Sequence, residues 1–238
     1  MIMRIKVRIF FGFFFCSVFT ALTAQNADLT SADSLFNNQK YTEAYELYEE
    51  LYQNNLASAS MLLKMAFIQD GLGNYTDALF FLDQYYQSTA DRSVIGKIEE
   101  IAEENGLAGY SYDDMDYFQA LINLYKVHFI LLLSTILIML LAYVYRKHKQ
   151  DEQAVAAGII QLFTAFCLLM ILNFKASPEA ILNSNETLLR SGPSAGAEPI
   201  EILSKGHKVK VLDQDDVWTQ ILWDGQEVFV RNGKLKVI

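Results

Sequence analysis

The apolar positions along the chain fall into distinct patterns, and each predicts a different element. An apolar run from Ile9 to Leu22 follows three positive charges, Arg4, Lys6 and Arg8, and ends in Ala21-Leu-Thr-Ala24. That order is the one of a secretory signal over residues 1–24, either cleaved after Ala24 or, because Leu22 is large for its position, retained as an anchor. Phe14 and Phe15 before Cys16 are too bulky for a lipidation site. From residue 25 to 112 the apolar period is helical. Over about Arg92 to Glu104, for instance, Val94, Ile98, Ile101 and Ala102 face one way and Lys97, Glu99, Glu100, Glu103 and Glu104 the other. Two stretches then lose all polar periodicity. Val127–Tyr145 and Ala154–Phe174 contain no charge and span roughly 28 and 31 Å as helices, the thickness of a hydrocarbon core. They predict two transmembrane helices, with a juxtamembrane helix over 113–126 and a short loop over 146–153. After Lys175 the pattern shortens to alternating strands and turns.

The loop carries Arg146, Lys147 and Lys149, whereas Asp113, Asp114 and Asp116 precede the first span. Positive charge stays cytoplasmic, so residues 25–126 and the tail are both expected on the non-cytoplasmic side, in a bacterium the periplasm. Ala154, Gly158, Gln161 and Ala165 share one face of the second span. Small residues with one polar group allow close helix approach in lipid, either against the first span or against another membrane protein.

Within the first helical region, Gln39-Lys-Tyr41-Thr-Glu-Ala44 with Tyr48 and Leu51 is echoed 34 residues later by Gly73-Asn-Tyr75-Thr-Asp-Ala78 with Leu82 and Tyr85. This period resembles the tetratricopeptide repeat: two helices per unit, with Ala where they cross and Tyr or Leu between them. Arg92–Glu104 reads as a capping helix. Two units and a cap are few for independent stability, so further packing partners are expected. The resemblance places Phe36, Asn37, Leu63, Phe67 and Asp70 on a concave peptide-binding surface; the alternative is that the aromatics are core and Asp70 is solvated.

The tail, with Leu188 to Ser194, Lys205-Gly206, Val209-Lys-Val211, Trp218 to Ile221, Asp224-Gly225 and Val228-Phe229-Val230, resembles the bacterial SH3-like barrel over 180–238. Val209 and Val211 alternate to one face, and Trp218 is expected to pack in the barrel. Where that family commonly has Gly-Trp-Val, this chain has Val228-Phe229-Val230. Trp218 and Phe229 are the barrel's candidate binding residues, with a structural role the alternative.

Composition narrows the function. The chain of 238 residues is 52% hydrophobic and 20% charged, with a net charge of −9. Between Gln25 and Lys126 there are 17 acids and 5 bases, with no basic stripe to hold a phosphate backbone, so nucleic-acid binding is excluded. Three His and two Cys leave little for a metal site, and no cofactor is expected. Gly192-Pro-Ser194-Ala-Gly196 matches a nucleophile elbow in letters, yet the strand, helix and downstream Asp-then-His order are missing. Gly71-Leu-Gly73 lacks the rest of a phosphate loop. The chain is expected not to be an enzyme. Two spans without a buried charge also argue against a transporter.

Taken together, signal, repeats, two-span hairpin and terminal barrel resemble the BatE-like proteins of the Bacteroides aerotolerance operon family. The resemblance implies a multidomain membrane protein: an all-α tetratricopeptide repeat domain over 25–112, the hairpin, and an all-β SH3-like barrel over 175–238. It also implies a non-enzymatic inner-membrane scaffold, assembling with von Willebrand factor A-type and other repeat proteins in envelope or oxidative-stress tolerance. The competing expectation is a cell-wall sensor whose barrel holds peptidoglycan.

Overall fold

A computed structural model describes residues 28–150, 155–174 and 178–238. The expected signal segment and Ala154 lie outside the described residues. The chain divides into two compact units, residues 1–82 and 83–238.

In the first unit, α1 (28–37), α2 (Tyr41–Gln53), α3 (Ala59–Gly71) and the start of α4 (Tyr75–Thr89) follow one another through short turns. Ser58 caps α3 by accepting from the Met61 amide at 3.2 Å. Ala44 and Ala78 are fully buried, as are Tyr48, Met65 and Leu79, so the small residues sit where helices approach. The 34-residue spacing recurs in the backbone. α2 and α4 both start at a Tyr, and the turns before them repeat the same bonds: Lys40 N–H to Leu35 O at 2.9 Å, and Asn74 N–H to Gln69 O at 2.8 Å. Each turn needs a left-handed residue, supplied by Gln39 (φ 61°) and Gly73 (φ 75°). A side chain is strained there and glycine is not. Gln39→Gly should therefore stabilise the chain by about 0.5 kcal/mol, net of the added freedom of the unfolded state; thermal unfolding in detergent checks it.

The second unit contains the rest of α4, a 3-10 turn (Arg92–Val94), α5 (Ile95–Glu104), α6 (Asp114–Lys149), α7 (Val155–Asn173) and seven strands. The division falls inside α4, so residues 83–112 group with α6, α7 and the sheet. The expected juxtamembrane helix and first span are one helix, α6. Asp113 and Asp116 form a capping box at its start. It runs on past Tyr145 because Arg146, Lys147 and Lys149 complement the dipole of its last turn instead of breaking it. α6 and α7 pack together, and Lys126 Nζ donates to Phe174 O at 2.8 Å, so the first apolar stretch begins beside the end of the second. Both helices are long and apolar enough to cross a membrane, and the apolar window of α6 is 0% buried, unlike a soluble core helix. On α7, Gly158, Gln161 and Ala165 are half-buried; Thr164, on the same face, is the buried member.

The strands are β1 (Glu179–Leu182), β2 (Thr187–Arg190), β3 (Pro199–Leu203), β4 (Lys208–Gln214), β5 (Trp218–Trp223), β6 (Gln226–Arg231) and β7 (Leu235–Val237). They form one sheet in the order β3-β2-β6-β5-β4-β1-β7, with every pairing antiparallel. Asp224 (φ 47°) and Gly225 (φ 75°) close the β5–β6 hairpin in the left-handed geometry that suits the strand twist. Inward residues Leu182, Leu189, Val209, Val211, Ile221, Val228 and Val230 make the core. Trp218, expected to pack there, does not; Trp223 packs against the core instead. The physical reason is parity: Thr219 and Ile221 point inward, which turns Trp218 outward. Gly192 to Gly196 lie in the loop between β2 and β3.

Candidate functional site

The residues expected on the repeat surface are partly brought together. Phe36 and Phe67 meet edge to face with centroids 5.8 Å apart, and Tyr41 completes a triad at 5.4 and 5.7 Å from them. Phe67 remains 58% exposed. Leu63 and Asp70 are half-buried on the same helix and Asn37 is exposed. Beside the triad, Lys64 Nζ and Tyr48 OH both donate to Asp33 Oδ1 at 2.6 Å. Burial raises the Asp33 pKa, but these two bonds outweigh it and hold the carboxyl below its ordinary value. On the sheet, Trp218 stands opposite Arg231, and Phe229 opposite Gln220 and Arg190. The two aromatics are diagonal neighbours on the outward face, both half-buried.

The most strongly built polar cluster lies elsewhere, on residues the sequence did not single out. Lys208, at the start of β4, is 4% exposed at its side chain. Its Nζ lies 3.0 Å from both carboxylate oxygens of Asp83, which is 0% exposed, and 2.8 Å from Glu179 Oε2. Tyr112 donates to Asp83 Oδ1 at 2.6 Å, and its ring stands 4.5 Å from the ammonium. Burial pulls the Lys208 pKa down, while Asp83 and Glu179 push it up further, so it lies above ordinary lysine and the group stays charged. Burial raises Glu179 despite Lys208. Burial and the Asp83 charge push Tyr112 up and keep it a neutral donor.

The segment between α5 and α6 is fastened to the barrel around this lysine. Lys208 N–H donates to Ala108 O at 3.0 Å, Ala108 N–H to His207 Nδ1 at 3.0 Å, and Tyr110 OH to Gly206 O at 2.7 Å. Gly109 (φ 96°) presses against the Lys208 carbonyl, leaving no room for a Cβ. Sequence alternation hides this junction. Lys208 shares a strand face with exposed Lys210 and reads as a solvated lysine; only the docked segment buries it. The pair Tyr110 and Tyr112 directly after Gly109 is the available hint.

His207 supplies a pH-dependent bond. Burial lowers its pKa below 6.5, against the pull of Glu201, so the folded state holds it neutral with Nδ1 accepting. A depressed histidine contributes stability that is present above its unfolded pKa and is lost as pH falls through the folded one. Exchange of the Ala108 amide, corrected for its intrinsic rate, should therefore accelerate as pH drops from about 7 to about 5. His207→Gln, which keeps an acceptor that does not titrate there, should flatten that dependence.

Next to the junction a groove of about 920 Å³ runs between α6 and the barrel. Asp116, Gln119 and Asn123 form its helical wall; Glu201, Trp223 and Asp224 form the barrel wall. Trp223 is held by its Nε1–H donating to Glu201 Oε2 at 2.9 Å and by edge contact with His207 at 5.3 Å. Among the described residues no group of His, Cys, Asp and Glu is arranged to hold a metal ion.

No curated protein and no solved structure matches the chain. Residues 186–236, from the turn before β2 into β7, match the bacterial SH3 domain family, and the C-terminal sheet is an SH3-like domain.

Proposed function

We propose that the protein is a non-enzymatic adaptor anchored in the inner membrane by α6 and α7, presenting a tetratricopeptide-type helical module and an SH3-like module for protein assembly. The observation that carries this reading is the Lys208 junction. A barrel fastened to residues 83–112 by a buried ion cluster and backbone bonds is a rigid recognition surface, not a tethered bead. The 34-residue spacing of Tyr41 and Tyr75, and of the turn residues Gln39 and Gly73, supports the repeat assignment. Basic residues at the end of α6 support a cytoplasmic inter-helix loop and periplasmic modules. By the resemblance to the BatE-like family, the assembly served is an aerotolerance-type envelope complex with von Willebrand factor A-type and repeat proteins.

Purification of the tagged full-length chain from native membranes in mild detergent, with mass spectrometry of co-purifying proteins, tests it. Stoichiometric membrane partners are expected; a protein recovered alone overturns the adaptor. The second reading is a cell-wall sensor. It is favoured by the bacterial SH3 match, since such domains commonly bind proteins or peptidoglycan, and sedimentation of the full-length protein with peptidoglycan would support it.

A further inference from the structure

We propose that the groove between α6 and the SH3-like barrel binds an extended, basic peptide segment of a partner protein. The inference rests on the protein-binding reading above and names the chemistry of one partner. Charge points to a cation. Asp113, Asp116, Glu201 and Asp224 line the groove and Lys210 is the one lining base besides Lys208. Lys208 offers no free charge, because Asp83 and Glu179 already surround it. Trp223 adds an aromatic wall that suits the stem of a lysine or the plane of an arginine.

Shape points to an extended chain in place of a compact ion. Asp116, Gln119 and Asn123 are spaced 3 and 4 along α6, so they lie on one face and cover about 10 Å of helix. Three residues of extended peptide cover about the same length. The two amides can bond to a peptide backbone while the carboxylates meet alternate side chains. The groove is also positioned for a partner that is itself at the membrane. Asn123 precedes the apolar run at Val127 by four residues, about 6 Å of helix.

The test uses the full-length protein in detergent and the acetylated peptide Lys-Ser-Lys-Ser-Lys-Ser-Lys, with its Glu-for-Lys counterpart as the comparison. Both tryptophans of the chain are in the barrel, at 218 and 223, so intrinsic fluorescence reports the site. The basic peptide should bind and the acidic one should not. Asp116→Asn combined with Asp224→Asn should weaken binding about tenfold, the effect of two partly screened charges; both substitutions keep hydrogen-bonding side chains. Glu99→Gln with Glu103→Gln, on exposed α5 positions, changes net charge equally and should leave affinity unchanged. Equal binding of both peptides, an undiminished affinity of the groove variant, or an equal loss in the α5 variant would overturn the proposal. No binding of the basic peptide to a protein that still co-purifies with stoichiometric partners overturns the groove and leaves the adaptor reading standing.

Discussion

Replacing Lys208 with methionine should destabilise the second unit by about 3–5 kcal/mol, the cost of stranding buried carboxylates without their cation. Asp83 is fully buried, and Glu179 is largely so, so solvent can make up only part of the lost ammonium. The loss should appear as a lower midpoint of the tryptophan fluorescence transition on heating or in urea, since both tryptophans report the barrel. Adding Asp83→Asn and Glu179→Gln to Lys208→Met should recover part of the loss, because the triple variant buries no unpaired charge. If the single variant unfolds at the wild-type midpoint, the ion cluster is not what holds barrel and helices together.

Gly109→Ala should cost about 3 kcal/mol or more. A Cβ there collides with the Lys208 carbonyl, and the position has φ 96°, itself worth about 1–3 kcal/mol of strain for a side chain. Relief requires residues 108–110 to lift away, giving up the bonds to Lys208 and His207 at about 0.5–1.5 kcal/mol each. Limited proteolysis should then cut between α5 and α6. Gly106→Ala is the contrast: it is also left-handed (φ 63°) but meets no atom within 4 Å, so it should lose about 1 kcal/mol and keep the segment protected. Equal cleavage of the two variants would mean that backbone strain, not the close approach, decides.

These two variants bear on the part of the protein that was not legible in the chain. The apolar helices, the helix over Arg92–Glu104, the sheet and its turns at Gly206 and Asp224-Gly225 follow from periodicity and turn residues, which are local. Where local rules went astray, the cause was a contact from far along the chain. Lys208 sits at an outward strand position and is buried by a segment about a hundred residues earlier. Trp218 looked like a core residue because it is large, while strand parity gave that place to Trp223.

The sequence by itself determined which stretches are apolar enough to cross a membrane, which are helical or extended, where the acidic charge is concentrated, and that the tail has the strand-and-turn order of a bacterial SH3-like domain. Each of these depends on neighbours within a few residues. The tertiary structure decided that residues 83–112 form one unit with the barrel, that Lys208 is a buried junction rather than a solvated lysine, and that α6 supplies a wall of the groove. Those outcomes depend on desolvation and close approach between distant segments, which neither periodicity nor composition records.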